Sequence, residues 1–256
     1  MTHSDGNILT AMNAKSAGTQ LDRAAGPYLD DIAGVAAEFS HRGWAEANAG
    51  NISVRLGAGP GLSALLVKRA NTRMRDLARN PVEGLCLLRF GAGDRSYSVL
   101  PKGVKPSSEL PTHVAVHDML ALCRHHDRVV VHTHPTALIS LTHRFPNSKQ
   151  LIRLLLSMHT EAPILLQDRL TAIPFLPPGS SSLGLASARA LERFSAVIWP
   201  GHGIVAVGRN AASALDLIEV TEKAALIALS LGSRLGPKTG LSPAQQKSIR
   251  KASGLE

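Results

Sequence analysis

The sequence predicts an α/β fold in which a central, mainly antiparallel mixed sheet is covered by helices. Strand-like and helix-like runs interleave along the 256 residues without the strict strand–helix–strand alternation of a parallel sheet. An apolar fraction of 44% is enough for a substantial core. The length suits one α/β domain with peripheral segments.

Residues 1–24 are polar and mixed, and read as an N-terminal arm or short helix. Apolar positions Ile32, Val35, Ala36 and Phe39 then recur at helical spacing over 25–42, and Gly43 marks the stop. After the turn Asn48-Ala49-Gly50-Asn51, the alternation Ile52-Ser53-Val54-Arg55-Leu56 predicts a strand, closed by a turn from Gly57 to Gly61. Further strands are expected at 63–67, 84–90 and 96–100, with a turn at Asn80-Pro81 inside the basic segment between the first two. Ser107-Ser108-Glu109-Leu110-Pro111 reads as a helix entry, followed by helical periodicity over 112–123. The valine run before His132 favours a strand. Helices are expected near 136–143 and 148–158, a strand near 163–166 and a helix at 183–194 after the Pro-Pro-Gly-Ser-Ser-Ser loop. Strands at 195–199 and 204–207 flank Pro200-Gly201-His202-Gly203, and a long apolar helix covers 211–232. The segment from Pro237 is basic, polar and short of core residues.

Composition narrows the function. No apolar run approaches the roughly 18 residues of a membrane span, and the opening Met-Thr-His-Ser-Asp-Gly lacks the layout of a secretory signal. A cytoplasmic protein without membrane contact is expected. Cys86 and Cys123 are too few for a disulfide framework and read as reduced core thiols. The net charge of +9 calls for an anionic partner, but 4% aromatic residues offer little for base stacking, which argues against nucleic acid. The basic cluster Lys68, Arg69, Arg73, Arg75 and Arg79 instead suits a phosphorylated or carboxylated small molecule.

The chemistry concentrates on histidines. On an extended strand residues two apart share a face, so His132 and His134 of His-Thr-His can converge on one ion. His202, flanked by Gly201 and Gly203, is a third candidate ligand. Three imidazoles leave a coordination position open, the pattern of a catalytic zinc site, although other divalent transition metals accept the same donors. Glu109 is either a first-turn carboxylate serving the helix dipole or, if the His132 strand returns beside it, a ligand or general base. Asn48, Gly50 and Asn51 form either an ordinary turn or an anion cradle. Ser107 and Ser108 are open to the same two readings, cap or phosphate contact.

Taken in order, Gly43-Trp44-Ala45-Glu46-Ala47-Asn48-Ala49-Gly50-Asn51-Ile52-Ser53-Val54-Arg55-Leu56, Ser107-Ser108-Glu109-Leu110-Pro111, His132-Thr133-His134 and Trp199-Pro200-Gly201-His202-Gly203 resemble the class II aldolase/adducin family. The resemblance runs from about residue 28 to 232 and implies a catalytic domain over 25–236, followed by a basic C-terminal tail over 237–256. It implies His132, His134 and His202 as zinc ligands and Glu109 as the catalytic acid/base. It assigns Asn48, Gly50 and Asn51 to the enediolate and phosphate of dihydroxyacetone phosphate, with Ser107 and Ser108 beside them. It places Glu161 in the active site of a neighbouring subunit, within a homotetramer. One departure stands out: Val67-Lys68-Arg69-Ala70-Asn71-Thr72 occupies the place of a Thr-Gly-rich phosphate loop, so that Lys68 and Arg69 become candidates to hold the anionic group.

Residues and resemblance together predict a metal-dependent carbon–carbon lyase that cleaves a small anionic ketose, expected to be phosphorylated, through an enediolate. A pentulose-phosphate epimerase, a sugar dehydratase or decarboxylase, and a non-catalytic adducin-like binding module are the alternatives on the same scaffold.

Overall fold

The computed structural model describes residues 20–57, 61–91, 96–236 and 239–255. Most of the expected N-terminal arm, residues 1–19, lies outside them. Residues 20–25 are helical, and Leu21 and Ala25 are already buried in the main core, so the packed domain starts within the segment read as an arm.

Eight strands form one sheet in the order β4-β3-β2-β1-β5-β8-β7-β6. They are β1 (Asn51–Leu56), β2 (Ala64–Lys68), β3 (Leu85–Phe90), β4 (Tyr97–Leu100), β5 (Val129–Thr133), β6 (Leu170–Ala172), β7 (Ala196–Trp199) and β8 (Gly203–Gly208). Every pairing is antiparallel except β6 with β7. The sheet is therefore mixed and mainly antiparallel, as expected from the sequence.

The helices are α1 (Leu29–His41), α2 (Met74–Arg79), α3 (Pro81–Gly84), α4 (Leu110–Cys123), α5 (Thr136–Arg144), α6 (Ser148–Ser157), α7 (Glu161–Leu165), α8 (Ser181–Leu191), α9 (Ala211–Leu231) and α10 (Pro243–Ala252). Alternation along the strands divides the core. Ile52, Val54, Val129, Val131, Ile204 and Ala206 face the larger cluster, with residues of α1, α5, α6 and α9. Val130, Val197, Val205 and Val207 face a second cluster with Val116 and Leu120 of α4 and Leu183 and Leu191 of α8.

Three local expectations are corrected. The apolar run near 163–166 belongs to helix α7, and the strand beside β7 is Leu170–Ala172 instead. A short apolar run does not distinguish helix from strand by periodicity, and Pro163 in the first turn fits a helix start. The turn expected at Asn80-Pro81 lies between two short helices, α2 and α3, with Pro81 as the first residue of α3. Cys86 is buried as expected, but Cys123, the last residue of α4, is exposed. The C-terminal segment forms α10, which Ser242 caps in a reciprocal pair with Gln245; no residue of this helix is buried.

Candidate active site

The site forms where β1 meets β5. In the ladder Asn51 lies directly opposite His132, which in turn lies opposite Val205 of β8. Opposed residues share a face, so the end of β1 and the end of β5 deliver Asn51 and His132 to one spot. His134 lies one residue past β5, where its N–H leaves the sheet and donates to the carbonyl of Trp44 at 2.9 Å. His202 sits in the turn between β7 and β8, with its N–H donating to Trp199 O at 3.0 Å.

Two glycines permit this approach. A Cβ on Gly203 would lie 2.3 Å from the carbonyl oxygen of Thr133 and 3.1 Å from Cδ2 of His134. The glycine expected to make room around His202 thus makes room for β5 and His134. Gly50 has φ +74°, and a Cβ there would press on the Met74 methyl at 3.1 Å and on the backbone oxygen of His132 at 3.4 Å.

The three imidazoles converge, with one ligand nitrogen from each within 4.8 Å of the others. His132 donates from Nδ1 to the carbonyl of Ile204 at 2.9 Å, and His134 donates from Nδ1 to the Glu46 carboxylate at 2.7 Å. A carbonyl and a carboxylate only accept, so both rings carry a proton on Nδ1, and the neutral form of each presents a bare Nε2. Those two Nε2 atoms are 3.1 Å apart. When both rings are neutral, the two lone pairs converge at that distance, where a shared cation can bind them.

Glu109 completes the group. Its Oε1 lies 3.4 Å from Nε2 of His202 and its Oε2 lies 3.6 Å from Nε2 of His132. Oε2 is buried without a hydrogen-bond partner. Glu109 is the residue that caps α4, yet its side chain makes no capping bond and turns to the histidines instead. Burial raises its pKa to about 7. Burial, followed by the neighbouring imidazoles, holds His132 well below the usual histidine range, and burial lowers His202 to about 4. Both shifts favour neutral His132 and His202 rings, which suits a divalent transition ion. The donor set of three Nε2 atoms and one carboxylate fits such an ion.

A cavity of about 330 Å³ opens over these atoms, lined also by Asn48, Gly50, Asn51, Lys68, Arg69, Asn71, Ser107 and Ser108. The expected anion residues thus line the same cavity as the histidines. Ser107 donates its hydroxyl to Oδ1 of Asn51 and accepts from the N–H of Glu109 at 3.2 Å. This leaves the Asn51 amide nitrogen as the donor aimed elsewhere. Lys68 is 1% exposed. Its ammonium donates to the carbonyls of Asn48 at 2.8 Å and Thr72 at 2.6 Å. Burial lowers its pKa to about 8, which leaves it charged at neutral pH. Arg69 is half-buried and donates from Nε to Leu85 O at 2.6 Å. Arg73, Arg75 and Arg79 are exposed on and beside α2.

Glu161 lies apart from this group. It is exposed at the start of α7, in a groove with Arg42, Trp44, His159 and Glu219. Two contributors are not singled out by the sequence reading. Glu46 stands in the same turn as Asn48, a carboxylate two residues before a site asparagine, and that proximity is the available signal. Trp199, just ahead of the Pro-Gly turn, stacks its indole on His202 with centroids 5.0 Å apart and planes at 29°. Deeper in the same face, Ser53 Oγ lies between His113 Nδ1 at 2.6 Å and His117 Nε2 at 2.8 Å.

Comparison with known proteins agrees with this geometry. The family model for the class II aldolase and adducin N-terminal domain matches residues 30–229. The chain is 33% identical to rhamnulose-1-phosphate aldolase of Bacteroides thetaiotaomicron, over 89% of this chain and 94% of that one. The solved structure of a sugar-phosphate aldolase from Thermotoga maritima superposes with a TM-score of 0.73 at 33% identity, covering 83% of this chain and 97% of its own. An L-fuculose-1-phosphate aldolase from Thermus thermophilus shares the fold, with a TM-score of 0.62 at 23% identity and coverage of 82% and 97%. With the family model spanning most of the chain and relatives aligned along nearly their whole length, this protein belongs to the class II aldolase and adducin family.

Proposed function

We propose that the chain is a metal-dependent class II aldolase that cleaves a ketose 1-phosphate into dihydroxyacetone phosphate and an aldehyde. The observation that carries this reading is the convergence of His132, His134 and His202, with the Nε2 atoms of His132 and His134 3.1 Å apart and Glu109 within 3.6 Å of His132. The relatives named as rhamnulose-1-phosphate aldolase and sugar-phosphate aldolase support the substrate class. His132, His134 and His202 hold the ion, which we take to be zinc because neutral imidazoles with an open position suit it. The bound ion supplies Lewis acidity, lowering the cost of negative charge on the carbonyl and adjacent hydroxyl oxygens of the sugar.

The remaining work falls to the chain itself. Glu109, with a pKa near 7, can both hold and release a proton at neutral pH. Its role is to deliver the proton that converts the three-carbon fragment into dihydroxyacetone phosphate. Asn48, Gly50, Asn51 and Ser108 receive the phosphate end, while Ser107 orients Asn51 through its hydroxyl. Lys68 supplies a buried positive charge at that end, and its two carbonyl contacts leave one of three ammonium protons for the ligand. Arg69 adds charge at the cavity wall. No Schiff base is required, so no lysine serves as nucleophile.

Two features complete the proposal. The active form is a homotetramer in which Glu161 reaches a neighbour's site, consistent with its exposed position away from its own histidines. The setting is the cytoplasm, where the free thiols Cys86 and Cys123 remain reduced. Among the described residues no helix is long and apolar enough to cross a membrane.

The decisive experiment presents the purified protein with a panel of ketose 1-phosphates and the matching free ketoses, and detects dihydroxyacetone phosphate and aldehyde. Cleavage restricted to the phosphates, abolished by chelator and restored by zinc, is the expected result. Turnover without any three-carbon phosphate product would refute the aldolase reading.

A further inference from the structure

His134, unlike His132, is not anchored by the sheet. His132 is a strand residue with ladder neighbours on both sides, whereas His134 lies past the end of β5. Its backbone is held by a loop, through the bond to Trp44 O at 2.9 Å, and the preceding Thr133 hydroxyl donates to the same carbonyl at 2.8 Å. Its ring therefore needs separate restraint. Gly203 approaches on the Cδ2 side, where a Cβ would come within 3.1 Å. On the Nδ1 side stands the Glu46 carboxylate at 2.7 Å.

The backbone around Glu46 is shaped for this contact. Ala47, the next residue, has φ +47°, a left-handed conformation that costs a residue with a Cβ. Such conformations persist where the surroundings enforce them and cluster at functional sites. The same short loop supplies Trp44 O to His134 and Asn48 O to Lys68. One turn thus serves both the histidine and the anion end of the cavity.

We infer that Glu46 is a positioning residue that fixes the tautomer and ring orientation of His134, and so sets the affinity of the site for a divalent ion. This rests on the reading of the three histidines as a metal centre. Without an acceptor at Nδ1 the neutral ring is free to protonate Nε2, the nitrogen that faces His132, and to rotate away. An Nε2–H has no lone pair for a metal. A carboxylate on the far nitrogen also raises the basicity of the ligating one.

The test uses the full chain stripped of metal, titrated with Zn²⁺ against a chromophoric chelator and with Co²⁺ for its visible absorption. Glu46→Ala should weaken Zn²⁺ binding by about 10–100-fold and change the Co²⁺ spectrum. Glu46→Gln should recover most of the affinity, because the amide oxygen still accepts from Nδ1–H. The Glu46 side chain is 67% exposed, so neither change empties the core. Wild-type affinity with an unaltered Co²⁺ spectrum in Glu46→Ala would overturn the inference, as would a Glu46→Gln as weak as Glu46→Ala. His134→Ala is the control for the underlying reading: if it binds Zn²⁺ like the wild type, the metal centre itself fails. If only His134→Ala loses metal, the centre stands and the role of Glu46 does not.

Discussion

Lys68 donates its ammonium to the carbonyl of Asn48 at 2.8 Å, tying the end of β2 to the loop that lines the same cavity. The charge is nearly fully buried, and burial lowers its pKa to about 8. Two consequences follow with opposite signs. Between pH about 8 and the ordinary lysine value of 10.5 the folded chain binds fewer protons at Lys68 than the unfolded chain, so this residue's contribution to stability improves as pH rises through that window. Binding of an anion worsens over the same range, since the charge that attracts it is lost. KM for a phosphorylated ketose should therefore climb as pH rises through about 8, where the phosphate itself, with a second pKa of about 6, no longer titrates. Lys68→Met should raise KM at neutral pH by at least about tenfold, roughly 1.4 kcal/mol, and abolish this pH dependence. Arg69→Ala should do less, because its Nε is committed to Leu85 O. A flat KM profile in the wild type, or a larger effect at Arg69, would remove Lys68 from the anion end.

The histidines give a second expectation. Each supplies one nitrogen to the cluster, and among the described residues no other group of three or more such side chains could hold an ion. His132→Ala, His134→Ala and His202→Ala should each lose stoichiometric metal, from about one ion per chain to a small fraction, as measured by elemental analysis after dialysis. Activity should fall with metal content. Full metal retention in all three variants would end the assignment.

Glu109 offers a separation between chemistry and metal binding. With a pKa near 7 and both oxygens within 3.6 Å of imidazole nitrogens, it can serve as proton carrier, as ligand, or as each in turn. Glu109→Gln keeps the size and the oxygen but cannot carry the proton. Turnover should drop by roughly 10²–10⁴ while metal content stays high. Loss of metal without further loss of turnover per bound ion would make Glu109 chiefly a ligand, and wild-type turnover would exclude it from the proton step.

Much of this arrangement is legible in the chain, and the limits are physical. Alternation gives β1, the valine run gives β5 and a long apolar run gives α9, because buried strands and a long packed helix each leave a pattern in the chain. His-Thr-His on a strand announces a shared face by itself. Helix α7 reads as a strand because an apolar stretch of four or five residues carries too little periodicity. Helices α2 and α3 escape the pattern because each is too short to show a period and the stretch is interrupted by Pro81. The Glu46 contact has no local signature, since it joins residues 88 apart in sequence and depends on the backbone turn at Ala47. The placement of Glu109 depends equally on how α4 enters beside β5, which no local pattern encodes.

Gly203 tests how tightly strand approach and metal site are coupled. A methyl group there would sit 2.3 Å from the Thr133 carbonyl oxygen, and that atom belongs to the backbone of the strand carrying His132. Gly203→Ala must push β8 from β5, at a cost of about 1–3 kcal/mol typical of overpacking. Because the displaced pair carries His132 and borders His134 and His202, Zn²⁺ affinity should weaken in the same variant. Thermal unfolding and chelator competition measure the two effects. A variant as stable as the wild type would show that the strands can part there without strain.

The last expectation concerns Glu161, which the family resemblance assigns to a neighbour's active site. Within its own chain it is exposed at the first residue of α7, beside Arg42 and Glu219 and outside the cavity that holds the histidines. A carboxylate so placed can contribute to catalysis only through a second copy of the chain. Activity should then depend on protein concentration over the range where the assembly dissociates, and sedimentation should report a tetramer where turnover is full. Glu161→Ala should lower turnover with little change in metal content, since it is not a ligand. The sharper test mixes subunits: Glu161→Ala and His134→Ala chains should each be impaired alone, but a mixed tetramer brings an intact Glu161 from one chain to an intact metal site on another. Recovery of activity on mixing after dissociation is the expected outcome. Inactive hybrids, or a monomer that turns over at the full rate, would leave Glu161 as a surface residue of α7.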